Sequence, residues 1–363
     1  MKFVFWQNIV SIHQSAFIKA LASNHDVTLV AEEGLDSQRV TEKWEIPSMG
    51  EAKILVSPSP DEVEELLSVE ETINVFSGID AYPLVYRAFK RAVALDCAIV
   101  VMAEPYDWTG LKGKLRHLKY RWLFLRYGNH IRHFFTTGNM GMLCYKNAGF
   151  SERKLHQWGY FTEQVITPNH NHGSSNKPNL IFVGKIDERK NILTLVDTAL
   201  ENENLFNKFL IVGTGPLLPE LKEKIDGHKS ISHLGVLPNE DVMSLISQSD
   251  LLVLPSLFDG WGAVVNEALG KGTRVLCSDM CGAGILLDND KRGGCFRLKD
   301  PDDLRNKLKF WLCRGPLTAE ERVENQQWAN KNISGEAASR YFCETLNNDE
   351  NETIIAPWVS PPR

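Results

Sequence analysis

The chain has 363 residues, enough for two domains of ordinary size. Its 43% apolar and 24% charged content is that of a folded globular protein and excludes a disordered or fibrous one. The net charge of −6 argues against a general nucleic-acid binder, and no run approaches the roughly 18 to 20 apolar residues of a membrane-spanning helix.

The opening MKFVFWQNIV turns polar too early for a signal peptide and reads as a first buried strand. Further strands are expected at 27–31, 52–56, 73–77, 98–102 and 133–137. The polar segment NHNHGSSNKPN (169–179) then reads as a linker. A second series follows at 180–184, 208–213, 230–235, 251–255 and 273–277, with helices between, for example from Asn191 to Leu200 and from Asn239 to Ser247. Apolar runs alternating with amphipathic helices predict parallel α/β units. The division expected is an N-terminal domain over 1–170 and a second over 173–334, each doubly wound. Neither half carries GxGxxG after its first strand, which disfavours a dinucleotide-dependent oxidoreductase. Seven cysteines, scattered and without a CxxC pair, fit reduced thiols in a cytoplasmic protein. His170 and His172 fall in the linker with no metal-ligand context.

Charge is unevenly placed. From Trp108 to Ser151 there is no Asp or Glu, and eight Lys and Arg residues give this stretch +8 and the remainder −14. Over residues 112–133 the cations interleave at helical spacing with Leu115, Leu118, Trp122, Phe124, Leu125 and Tyr127. Such a helix either packs its apolar face on the core or lies on an anionic membrane surface.

Ligands of open α/β sheets bind beyond the carboxyl ends of the strands, so the loops there carry the candidate chemistry. Gly184 ends one strand and is followed by Lys185 and Lys190, two cations suited to a diphosphate. Gly213, Gly215 and Pro216 follow the next strand, as a tight turn or as a place for backbone to approach a ligand. The run LLVLPSLFDGWGAVVNEALG is the most informative. A buried strand leads to Asp259-Gly260-Trp261-Gly262, then to a helix whose free amides, Gly262 to Val265, suit an anion. Glu267 lies inside that helix, so Asp259 is placed to reach sugar hydroxyls at the mouth and Glu267 ribose hydroxyls farther back.

At these residues the chain resembles a family 4 (group 1) glycosyltransferase of the GT-B fold, two Rossmann-like doubly wound parallel-sheet domains facing across a cleft. Gly184, Lys185 and Lys190 match the family's Gly-Arg-x4-Lys signature, Gly213 to Pro216 its G-x-G-P turn, and Asp259 with Glu267 its E-x7-E motif. The resemblance implies that Lys185 and Lys190 hold the donor diphosphate and Glu267 the ribose. It implies that Asp259 and the backbone of Trp261, Gly262 and Ala263 hold the donor sugar, that the Val264 amide meets phosphate, and that Val236 and Leu237 border the base. Two departures stand out: Lys185 replaces an Arg, giving up a bidentate fork, and Asp259 replaces a Glu, one methylene shorter. By the same resemblance no divalent metal is required, and the helix near 335–350 crosses back to the first domain; the remaining tail, through 363, reads as loose.

The first domain is expected to bind the acceptor. It lacks the family's glycine-rich first loop and reads WQNIVSIHQSAF instead, which puts His13 at a helix start. His13 or Glu104, in VMAEPYDW, is the candidate for assisting acceptor deprotonation. The resemblance implies a retaining hexosyltransferase. It moves sugar from a UDP- or GDP-sugar to a saccharide or lipid-linked saccharide acceptor in cell-surface polysaccharide synthesis, at the cytoplasmic membrane face. The alternatives are a GT-B nucleotide-sugar epimerase, which leaves the basic aromatic helix unexplained, and a degenerate, non-catalytic binding subunit.

Overall fold

The computed structural model of the protein describes residues 1–34, 47–164, 175–287, 290–348 and 354–359. The chain divides into two units, Met1–Glu163 with Ser334–Pro357, and Gln164–Ile333 with Trp358–Arg363.

In the first unit, strands β1 (Lys2–Ile9), β2 (Asp26–Glu33), β3 (Lys53–Val56), β4 (Thr72–Ser77), β5 (Ala98–Ala103), β6 (Ile131–Thr137) and β7 (Leu155–Trp158) alternate with helices. These are α1 (Ile12–Ala22), α2 (Pro60–Leu67), α3 (Pro83–Ala94), α4 (Gly110–Tyr127) and α5 (Gly138–Asn147). The sheet is parallel throughout, in the order β3-β2-β1-β4-β5-β6-β7. Helices on both faces of a parallel sheet bury its strands on both sides. Hence β1 is apolar without alternation, and Phe3, Val4, Phe5 and Trp6 are all buried.

The second unit repeats the plan. Its strands are β8 (Asn179–Val183), β9 (Lys208–Val212), β10 (Ile231–Gly235), β11 (Leu251–Leu254), β12 (Arg274–Ser278) and β13 (Gly293–Phe296), in the parallel order β10-β9-β8-β11-β12-β13. Helices α6 (Ile192–Leu200), α7 (Leu218–Ile225), α8 (Asn239–Ser247), α9 (Ala263–Gly270), α10 (Pro301–Cys313) and α11 (Ala319–Asn332) cover it. A core of Leu180, Phe182, Ile211, Leu251, Val253 and Leu276 fills the space under α6 and α10. The order reverses between β8 and β11, so the loops leaving these two strands lie side by side although about 70 residues separate them in sequence.

The last helix, α12 (Gly335–Asn347), belongs to the first unit and packs on α1. Its Ser334 N-cap accepts a hydrogen bond from the Ala337 amide. Gly335 is required there, because a Cβ would collide with the Ala16 carbonyl of α1.

The structure corrects several expectations. The basic helix stops at Tyr127 rather than continuing to 133, for residues 131–133 already belong to β6, pinned by pairing with β5. Two apolar faces run along α4. Leu123 and Tyr127 are buried and Phe124 packs against the core, whereas Leu115, Leu118, Trp122 and Leu125 point outward. The tail is not loose at Ala356 and Trp358, which are buried, as a large apolar side chain favours. Among the described residues no helix is long and apolar enough to cross a membrane. His170, His172 and most of the expected linker lie outside the described residues.

Candidate functional site

The adjoining β8 and β11 loops bring together charges that the sequence keeps far apart. Lys190 Nζ donates to Asp259 Oδ2 at 2.5 Å, and both side chains are 13% exposed. Arg189 approaches the same carboxylate at 3.7 Å and donates to the Phe258 carbonyl. The Leu257 amide in turn donates to the Arg189 carbonyl, so the two loops are stitched backbone to backbone. Lys190 is itself placed by its amide, which donates to Asp187 Oδ1 at 2.9 Å. At Asn191 the chain adopts the left-handed conformation (φ 54°), which Asn tolerates better than most residues, and turns into α6. Lys185 is exposed and has no carboxylate partner among the described residues. The structure therefore joins Lys190 to Asp259 and leaves Lys185 free at the same strand end.

The loop after β11 is tied down by hydrogen bonds. Asp259 pairs with Cys281 as an isolated parallel bridge, with its amide on Met280 O and its carbonyl accepting from Gly282. Trp261 is buried, and its indole donates to Asn266 Oδ1 at 2.7 Å. Its ring is thus spent on structure, so at Trp261 only the backbone is available to a ligand. Gly262, at φ 92°, caps α9, where a Cβ would press on Cys281 Sγ and Leu254. Of the amides expected to be free, that of Val265 already donates to Gly262 O. The amides of Ala263 and Val264 then open the helix, where unpaired N–H groups and the helix dipole favour an anion.

Glu267 sits in the second turn of α9, half-buried, and burial pushes its carboxyl up to about 7. A buried carboxyl group shifted toward neutrality in this way is a candidate for a functional role.

Gly213 and Gly215 serve packing in this structure. A Cβ on Gly213 would strike the Gly184 carbonyl, and one on Gly215 the Ile186 carbonyl. The β9 loop therefore lies flat on the β8 loop, with the Ile186 amide donating to Thr214 O and the Leu217 amide to Ile186 O. Val236 follows Gly235 at the end of β10 and is 62% exposed, with Leu237 half-buried beside it. His233 Nε2 donates to the Gly213 carbonyl at 2.9 Å, holding β10's end against the same turn.

In the first unit, His13 and Glu104, read from sequence as alternatives, are joined by a third residue. The Tyr160 ring stacks on His13 at 5.0 Å and 6°, and the Tyr160 hydroxyl donates to Glu104 Oε1. The Glu104 carbonyl accepts from Tyr145 at 2.7 Å. His13 is held at the start of α1, its amide donating to the Ser11 cap. Tyr160 and Arg189 were not singled out by the sequence. Arg189 stands within the motif, adjoining Lys190, and so could have been flagged; Tyr160 gives no local signal. Among the described residues no group of His, Cys, Asp and Glu is arranged to hold a metal ion.

Residues 167–328 match the family model described as "Glycosyl transferases group 1". The chain is 27% identical over 128 residues to the alpha-D-kanosaminyltransferase of Streptomyces kanamyceticus, covering 34% of this chain and 33% of that one. It is 30% identical over 133 residues to the Escherichia coli UDP-Gal:alpha-D-GlcNAc-diphosphoundecaprenol alpha-1,3-galactosyltransferase, covering 35% and 34%. The matched segments thus span about a third of these curated relatives. Among solved structures, HepE of Anabaena in complex with UDP superposes with a TM-score of 0.70 over 95% of this chain and 99% of that one, at 13% identity, a likeness of fold. Residues 167–328 are therefore similar to the group 1 glycosyl transferases, in a chain of GT-B fold.

Proposed function

We propose that the protein is a retaining glycosyltransferase that moves a hexosyl group from a nucleotide diphosphate sugar to a saccharide or lipid-linked saccharide acceptor. The observation that carries this reading is the Lys190–Asp259 pair at the β8/β11 switch point, with the open amides of α9 and the poised Glu267 behind it. The diphosphate is assigned to Lys185, Lys190 and the amides of Ala263 and Val264, the ribose to Glu267, and the sugar to Asp259 with the backbone of Trp261, Gly262 and Ala263. Gly184, Gly213 and Gly215 bring the β8 and β9 loops close enough to floor that seat, and Val236 and Leu237 are assigned to its base end. A uridine donor is favoured because the Escherichia coli relative is named for UDP-Gal and HepE was solved with UDP.

In this reading the bond from the anomeric carbon to the diphosphate oxygen breaks as the acceptor hydroxyl oxygen bonds to that carbon from the same face. The acceptor proton passes to the departing phosphate oxygen. Charge that grows on the diphosphate meets Lys185 and Lys190, so the reading assigns no task to a metal. Asp259 holds Lys190 in place before the donor arrives and turns to the sugar hydroxyls afterwards. In the first unit, His13, Tyr160 and Glu104 are assigned to the acceptor hydroxyl. A lipid-linked acceptor accords with the diphosphoundecaprenol named for the Escherichia coli relative, and a cytoplasmic location with the scattered thiols.

The test is donor turnover across a panel of UDP- and GDP-sugars. One donor is expected to be hydrolysed slowly without acceptor, and Asp259→Ala and Lys190→Ala each to lower that rate by about 100-fold or more, the usual loss of one charge-stabilising group. Hydrolysis that survives both substitutions, or a chain whose melting no nucleotide diphosphate shifts, defeats the proposal.

A further inference from the structure

The outward face of α4 is unusual for a chain of this composition. Leu111, Leu115, Leu118, Trp122 and Leu125 are 80%, 67%, 61%, 52% and 74% exposed. Their spacing of four, three, four and three residues sets all five within about 80° of arc, at roughly 100° per residue. The opposite side of the same helix carries Tyr120, Leu123, Phe124 and Tyr127 into the core, so the stripe is no spill-over of core packing. Cations flank it on both edges: Lys112, Lys119 and Arg126 on one, Lys114 and Arg121 on the other. Arg116 and Lys119 are paired to Asp107 and Asp80. Lys112, Lys114 and Arg121 have no carboxylate partner among the described residues. A cavity of about 470 Å3 opens beside the helix, with Leu118, Lys114 and Leu143 of α5 on its lining, and widens the apolar surface sideways.

We propose that this face of α4 docks on an anionic lipid bilayer, its leucines and Trp122 sunk at the headgroup level and its two rows of cations against lipid phosphates. Exposed leucines flanked by cations on both sides are the pattern of an interfacial helix. The same four-three spacing also fits a helix seam with a second copy. Charge decides between the two. Pairing α4 with itself sets the cationic edges of both helices against each other, whereas an anionic surface meets both edges with opposite charge. Charge elsewhere in the chain points the same way. Everything outside residues 108–151 sums to −14, so an anionic surface attracts the +8 segment and repels the rest. The docking stands on this helix alone and does not depend on the transfer reaction.

The experiment is co-sedimentation of the full chain with vesicles of phosphatidylcholine with and without phosphatidylglycerol, at low and high salt. Wild type is expected to pellet with the anionic vesicles at low salt and to be released by high salt. The variant with Lys112→Gln, Lys114→Gln and Arg121→Gln is expected to lose about 100-fold in partitioning, at about fivefold per cation. The variant with Leu111→Ser, Leu115→Ser and Leu125→Ser, all exposed positions that leave folding intact by circular dichroism, is expected to stay in the supernatant. Equal recovery of wild type from both vesicle types at low salt overturns the proposal, as does a serine variant that binds like wild type. A wild type that sediments as a dimer while the serine variant is a monomer assigns the stripe to a second copy and overturns it equally.

Discussion

Glu267 shows what a single residue costs and what it is kept for. Burial holds its carboxyl up to about 7, against 4.5 for an unburied glutamate. The folded protein therefore binds this proton more tightly than the unfolded chain. The contribution of this one group to stability is therefore greatest below about pH 4.5, falls as pH rises through 7, and is then lower by about 3 kcal/mol, at about 1.4 kcal/mol per unit. Glu267→Gln removes the titration. Urea melts at pH 4 and pH 8 are expected to show the variant gaining about 3 kcal/mol on wild type between the two, while losing about 10- to 100-fold in donor affinity with the charge-assisted hydrogen bonds. A gap between the two proteins that stays flat with pH means that Glu267 is solvated. Glu267, Lys190 and Asp259 were legible in the sequence because they sit at fixed offsets from glycines and strand ends. Their mutual geometry was not: the sequence placed Asp259 toward a sugar, and nothing local says that Lys190, 69 residues earlier, holds it meanwhile. Tyr160 was invisible for the same reason, since its partners His13 and Glu104 come from distant segments.

At the scale of elements, legibility follows burial. Strands buried on both faces, such as β1, β5 and β11, announce themselves as apolar runs. The two that the sequence hides, β7 (LHQW) and β13 (GGCF), are four-residue edge strands with one neighbour each. Glycines and polar residues of this kind are depleted in strands, and only the pairing partner recruits them. The basic helix ran too far in the sequence reading because Arg132 and His133 continue its composition, and pairing with β5 overrides composition. The G-x-G turn likewise looked like a ligand loop or a plain turn, and the structure adds the steric reason for its glycines. Gly213 sits at φ 135° against the Gly184 carbonyl, whereas Gly227 sits at φ 80° with open space around it. Gly227→Ala is expected to cost only the left-handed strain, about 1 kcal/mol. Gly213→Ala adds an irreducible backbone clash and is expected to cost about 3 kcal/mol or more and to weaken donor binding by displacing the β8 loop. Paired chemical melts of the two variants check this, and equal costs would show that the β9 loop moves freely away from β8.

At the scale of the whole chain, the first unit is finished only by the last helix. Phe342 of α12 lies 5.1 to 6.4 Å, centroid to centroid, from Phe3, Phe5, Phe17, Phe135 and Trp158, a ring cluster drawn from β1, α1, β6 and β7. The sheet cannot bury that face with its own consecutive helices, so the chain runs through the second unit before sealing the first. Phe342→Ala opens a cavity among the five remaining rings and is expected to destabilise the first unit by about 3–5 kcal/mol. Hydrogen exchange locates the effect. Amides of β1, β2, β6, α1 and α12 are expected to exchange faster by a factor on the order of 100 to 1,000, while β8, β9, β11 and β12 keep their wild-type protection. Uniform acceleration through both sheets would mean instead that the two units unfold as one cooperative body. The local outcome leaves the Lys190–Asp259 site intact in a chain whose first unit is loosened. Nucleotide binding and sugar transfer are then expected to part company in this variant, the first retained and the second lost.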